Sequence, residues 1–140
     1  QKNGMIVSNQ VNFHGFRGFT LQTNGSNPDE YIFCFSNGTN ALPNVLFRLE
    51  GNKWHYLAVT VNKAFISIYD NGKLVGKINS GGLPIVNSSM PLTVGNRANR
   101  DADFKGYIKE VKISNGNINE AEILNNAEKI NSVLINNGLN

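Results

Sequence analysis

Between residues 53 and 79 apolar and polar side chains alternate in three consecutive runs. Leu57, Val59 and Val61 alternate with Ala58, Thr60 and Asn62. Ile66 and Ile68 alternate with Ser67 and Tyr69. Leu74, Gly76 and Ile78 alternate with Val75, Lys77 and Asn79. A period of two sends successive side chains to opposite faces, so each run predicts a strand with one buried face. The joints are short. Asn62-Lys63 closes the first hairpin and Asp70-Asn71-Gly72-Lys73 the second. Asn-Gly favours a type I′ turn, whose two central residues both need positive φ.

The same periodicity predicts strands at residues 5–9, 19–23, 31–36, 45–50, 92–95 and 104–114. Stretches rich in Asn, Gly and Pro separate them, at 24–30, 37–44 and 80–91, with a charged loop, NRANRDAD, at 96–103. In 104–114 the apolar positions do not hold one phase, which predicts a bulge or bend near Glu110. Past Asn115-Gly116 the period changes. Asn119 followed by Glu122 forms a capping box, and Ile123, Ala127, Ile130 and Leu134 recur at helical spacing beside Leu124. These predict one amphipathic helix over 120–136, ended by Asn136-Asn137-Gly138. Many short strands between turn signals indicate an all-β, two-sheet antiparallel sandwich with one C-terminal amphipathic helix. The expected organisation is a sandwich over 1–118 and, over 119–140, a helix and tail packed on it or on a neighbour.

Composition narrows the function classes. Hydrophobic residues are 40% of the chain, enough for a core, and charged residues only 16%. The net charge is +3, but the basic residues are scattered rather than gathered in a stripe, so a nucleic-acid partner is not expected. The single cysteine, Cys34, lies in an alternating run and reads as a small buried apolar side chain. No apolar run approaches the roughly 20 residues that span a bilayer, so no membrane insertion is expected. Gln1 is not a natural start, and the chain reads as a piece of something longer.

Ordered phrases carry a family resemblance. Trp54-His55-Tyr56-Leu57-Ala58-Val59-Thr60 resembles the W-H-x-V-A-V-T strand of laminin G-like domains in the concanavalin A-like lectin/glucanase superfamily. Ile66 to Val75 (ISIYDNGKLV) resembles L-x-L-Y-V-D-G-x-L-V, and Pro91 to Gly95 (PLTVG) resembles P-L-x-I-G. Phe104 to Ile113 (FKGYIKEVKI) resembles F-x-G-x-I-D-E-V-R-I, and Asn119 to Ile123 resembles the closing S-x-x-E-I turn. The likeness runs over about residues 53–123 and implies a jelly-roll. Three departures stand out. The opening strands typical of the family, one with a phrase like F-T-I-E-A-W-V, are not evident: either they lie upstream of Gln1 or Phe19-Thr20-Leu21 is a diverged remnant, and if they are absent the sandwich has an open edge able to pair with another chain. Lys109 stands where the family often has Asp, and Asp70 where it often has an apolar residue.

The resemblance admits glycosidases, whose retaining members need two carboxyl groups about 5 Å apart. No E-x-D-x-E pattern occurs, Glu110 stands alone in its run, and no third group joins His14 or His55, so no catalytic residues are assigned. Asp101 and Asp103 are spaced like calcium ligands, with Asn96 and Asn99 able to add oxygens. Arg97 and Arg100 interleave with them, so a solvated loop is the favoured reading and no cofactor is expected beyond this weak calcium candidate. Trp54 and His55 read as framework. For a ligand the candidates are Asn96, Arg97, Asn99, Arg100, Asp101 and Asp103, whose paired donors and acceptors suit sugar hydroxyls, with Tyr107 and Tyr69 as stacking surfaces. The leading expectation is a non-catalytic module that recognises a glycan or cell-surface polysaccharide, within a larger extracellular, cell-surface or virion protein. The alternative is a structural or assembly module, such as a phage tail or capsid appendage or an adhesin domain, with a protein partner or a homo-oligomer at the open edge. A glycosidase is the least favoured.

Overall fold

In the computed structural model the described residues are 3–10, 17–39, 44–82, 84, 88–97, 102–116 and 118–136. They form two antiparallel sheets and one helix. The strands are β1 (Met5–Ser8), β2 (Arg17–Asn24), β3 (Asn27–Asn37), β4 (Val45–Arg48), β5 (Leu57–Val61), β6 (Phe65–Asp70), β7 (Lys73–Asn79) and β8 (Thr93–Val94), followed by α1 (Glu120–Asn136). The larger sheet has the order β4-β3-β2-β1-β8 and the smaller β5-β6-β7. This is a jelly-roll β-sandwich.

The meander behaves as its alternation predicts, with one exception. Leu57, Val59 and Val61 pack on the core, and Ile66 and Ile68 lie within it beside Val7, Leu21, Phe33, Phe35, Val45, Phe47 and Leu49. The loop between β5 and β6 closes on Asn62, whose Oδ1 accepts from the N–H groups of Ala64 and Phe65, both at 2.8 Å. At the next turn Asn71 and Gly72 have φ of 50° and 84°, the two positive values that a type I′ turn requires. The exception is Leu74. Ile68 pairs with Gly76 but Tyr69 with Leu74, so Val75 is an extra residue in β7. This bulge turns Leu74 to the same side as Tyr69, away from Ile78 and the core.

The loop expected over 24–30 is shorter than its Asn, Gly and Pro content suggests. Pairing of β2 with β3 runs to Asn24 and Asn27, leaving Gly25 and Ser26 as the connection. Side-chain oxygens tie it down: Asn3 Oδ1 accepts from Gly25 N–H at 2.6 Å, and Asn24 Oδ1 from Ser26 N–H at 3.1 Å. Pro28 falls outside the β3–β4 ladder, where its missing N–H costs nothing.

Residues 104–114 differ most from expectation. Their alternation predicts a strand, yet none of them is in one, and most of their side chains are exposed. A strand needs a neighbour to take its N–H and C=O groups, and none of the described strands pairs with this segment.

The helix begins as its capping box predicts. Asn119 Oδ1 accepts from Glu122 N–H at 2.9 Å. Ile123, Ala127 and Leu134 are buried, and Leu124 lies on the β6–β7 turn. Tyr69 on β6 faces away from the core, and its hydroxyl donates to Glu120 Oε1 at 2.9 Å. The N-terminal part of α1 therefore seats on the outer face of the smaller sheet.

Candidate functional site

The polar loop after β8 is organised from its base. Asn96 Oδ1 accepts from Arg97 N–H at 2.7 Å and from Ala102 N–H at 3.0 Å, and its Nδ2 donates to the Asp103 carboxylate. One side chain thus draws the two ends of the loop together. The backbone anchors the same end: Met5 N–H donates to Ala102 carbonyl and Phe104 N–H to Gly95 carbonyl, both at 2.9 Å. Gly4 packs beneath, where a Cβ would meet Asp103 carbonyl at 2.9 Å.

Of the sequence-based candidates, the structure brings Asn96, Arg97 and Asp103 to one place. Asn96 spends its carboxamide holding the loop closed. Asp103 has an exposed carboxylate that accepts from it. Asn99, Arg100 and Asp101 lie outside the described residues, as does His14. Tyr107 follows four residues after Asp103 with 88% of its surface exposed. Tyr69 lies on the other sheet, 6% exposed and bonded to Glu120, so its ring packs the helix rather than facing a ligand. Burial, with Glu120 adding to it, raises the Tyr69 phenol above its ordinary pKa.

His55 is held on both sides. Its Nδ1 lies 2.9 Å from an Asp70 carboxylate oxygen and its Nε2 2.8 Å from Glu50 carbonyl. Asp70 is therefore the partner of the framework histidine as well as the residue before the turn. Two further carboxylates also have structural partners. Glu30 accepts from Asn24 Nδ2 at 2.5 Å and lies 4.0 Å from Arg48, and Glu50 pairs with Lys53 at 2.7 Å. Among the described residues no three His, Cys, Asp or Glu groups gather as a metal would require.

Alternation alone did not reveal a second feature. On the outer face of the larger sheet, Ser8, Gln10, Thr20, Gln22, Cys34 and Ser36 are all buried. Ser8 and Gln10 bond to each other, Gln10 Nε2 donates to Gly18 carbonyl at 2.7 Å, and Cys34 Sγ donates to Asn44 Oδ1 at 3.0 Å. Burial pushes the Cys34 thiol above its usual pKa, with the Thr20 hydroxyl offsetting part of the shift. Gln22 is 0% exposed, and neither atom of its carboxamide has a hydrogen-bond partner. Ser8, Thr20, Gln22 and Ser36 occupy the polar phase of their strands, which a period of two assigns to solvent.

With this architecture in place, a family model provides the class. The laminin G model described as the concanavalin A-like lectin/glucanases superfamily matches residues 1–124, and the chain belongs to that superfamily. The match extends the likeness beyond residues 53–123 to the strands of the larger sheet. Among solved structures, an S-layer domain-containing protein from Clostridium thermocellum is similar, with 19% identity and a TM-score of 0.49. That alignment covers 81% of this chain and 57% of the S-layer chain. No curated protein matches the sequence significantly.

Proposed function

We propose that the domain is a non-catalytic recognition module of a larger extracellular or surface-displayed protein, binding a glycan through the Asn96–Asp103 loop and Tyr107. Tyr107 carries the proposal. Its ring is 88% exposed and so open to a ligand, and its flat apolar face with a polar tip suits a pyranose ring. The carboxylate of Asp103, the guanidinium of Arg97 and the amides of the loop supply acceptors and donors for hydroxyl groups. The superfamily contains both lectins and glucanases. The lectin side is favoured because the sequence carries no E-x-D-x-E pattern, and Glu30, Glu50, Asp70, Asp103 and Glu120 are each bonded to a structural partner. A retaining glucanase needs two carboxyl groups free to act about 5 Å apart.

The proposed contacts need no calcium, so binding is expected to survive chelation. A glycan array read with the parent chain and Tyr107→Ala tests the proposal. Binding is expected for the parent, undiminished by EDTA, and weaker by about tenfold in the variant, the scale of one lost aromatic contact. No binding at millimolar glycan, or equal binding by the variant, overturns it.

A further inference from the structure

Five Asn-Gly pairs lie within the described residues: Asn3-Gly4, Asn24-Gly25, Asn37-Gly38, Asn71-Gly72 and Asn115-Gly116. Asn137-Gly138 lies outside them. An asparagine before glycine is prone to lose its side-chain amide. Glycine has no side chain to screen its nitrogen, which can close a small ring on the asparagine Cγ. A fold prevents the step in two ways. It can occupy the glycine N–H with a hydrogen bond, or it can hold the carboxamide in place with another.

The first four pairs are restrained. Gly4 N–H donates to Thr23 Oγ1 at 2.7 Å, and Asn3 Oδ1 accepts from Gly25 N–H at 2.6 Å, a bond that serves both of the first two pairs. Asn24 also accepts from Ser26 N–H and donates to Glu30. Gly38 N–H donates to Ser36 Oγ at 3.2 Å, and Asn37 Oδ1 accepts from Thr39 N–H at 3.0 Å. Asn71 Oδ1 accepts from Tyr56 N–H at 3.1 Å, and Gly72 packs on Leu124. Every residue of these pairs is at least partly buried. Asn115-Gly116 has neither restraint. Both residues are exposed, and among the described residues none bonds to the Asn115 carboxamide or to Gly116 N–H. A Cβ built on Gly116 would meet nothing within 4 Å. The pair lies between residues 104–114, which no described strand holds, and the Asn119 cap of α1.

We propose that Asn115 is a site of spontaneous deamidation selected by the fold, which protects the other four described Asn-Gly pairs. Hydroxide takes the Gly116 amide proton, and the freed nitrogen attacks Asn115 Cγ. The Cγ–Nδ2 bond breaks, Nδ2 takes a proton from water, and ammonia leaves behind a cyclic succinimide. Water then opens the ring. Cleavage of the new Cγ–N bond yields an aspartate. Cleavage of the original backbone C–N bond yields an isoaspartate, whose main chain runs through the former side chain and is longer by one methylene. The step consumes only water and changes no oxidation state. Either product adds a carboxylate and lowers the net charge by one from +3.

The test is peptide mapping by mass spectrometry of the full chain aged in mildly alkaline buffer, beside a second sample aged in urea. In urea the pairs should convert at similar rates, since each asparagine precedes glycine and none keeps its bonds. In the native chain Asn115 should convert within about threefold of its unfolded rate. Asn3, Asn24, Asn37 and Asn71 should each be slowed by about tenfold or more, because a local opening must first break their hydrogen bonds. Isoaspartate should appear in the peptide that spans residues 115 and 116. The exposed substitution Asn115→Gln keeps an amide but requires a larger ring that closes more slowly, so it should abolish the fast conversion. Native Asn115 slowed by about tenfold, or any of the other four converting as fast as Asn115, overturns the proposal. So does a fast conversion that persists in Asn115→Gln.

Discussion

Replacing Gly72 with alanine probes the joint between the meander and the helix. Two costs arise at one atom. The residue has a φ of 84°, a conformation that costs an L-residue about 1–2 kcal/mol. The added Cβ would also meet Leu124 Cδ1 at 2.6 Å and Leu124 Cα at 3.2 Å. The methyl can swing away. The Cα belongs to the helix backbone, so α1 must shift by a few tenths of an ångström, an overpacking cost of about 1–2 kcal/mol. Together Gly72→Ala should lose about 2–4 kcal/mol, a large share of the roughly 5–15 kcal/mol typical of a domain. Urea unfolding followed by helix circular dichroism and by Trp54 fluorescence measures it, and coincident curves justify a two-state fit. Adding Leu124→Ala removes the methyl clash but not the backbone strain, so it should recover about 1 kcal/mol at most. Loss below about 0.5 kcal/mol in the single variant would refute both the turn conformation and the seating of the helix on it.

Other expectations are as direct. Cys34 is buried with a raised thiol pKa, so iodoacetamide should leave it unmodified in the native chain and label it once urea unfolds the protein. Tyr69 is an acid whose folded pKa is raised, so its unfolded form ionises first and stability should fall as pH rises past about 10. Tyr69→Phe should shallow that alkaline decline and cost about 1 kcal/mol at neutral pH, read by urea midpoints. Ile123→Ala empties a site with 0% exposure and should cost about 2–4 kcal/mol by the same assay. Gln22→Met removes a buried amide without a partner and should be neutral or stabilising by about 1 kcal/mol; a loss above that would show that the amide is satisfied.

The meander and the helix were legible because their signals are local. Two positive-φ residues in Asn71-Gly72, alternation on either side, and an Asn119–Glu122 cap each act within a few residues. The bulge at Val75 was not legible, because Leu74 and Ile78 share a parity that only pairing with β6 breaks. Residues 104–114 show the opposite limit: their alternation is real, but a strand also needs a neighbour, and that is not a local property. The candidate site divided in the same way. The sequence treats Tyr107 and Tyr69 alike, and only the packing of α1 on Tyr69 separates the exposed ring from the buried one. The buried Ser8, Thr20, Gln22 and Ser36 occupy positions that alternation reserves for solvent, and no residue near them in sequence marks them otherwise.

Glycan recognition by the Asn96–Asp103 loop and Tyr107 can be read directly by titrating oligosaccharides into the isotopically labelled chain and following backbone amide shifts. Saturable shifts confined to Asn96, Arg97, Ala102, Asp103 and the residues around Tyr107, lost in Tyr107→Ala, are expected. Saturable shifts elsewhere, or none at millimolar ligand, would contradict it.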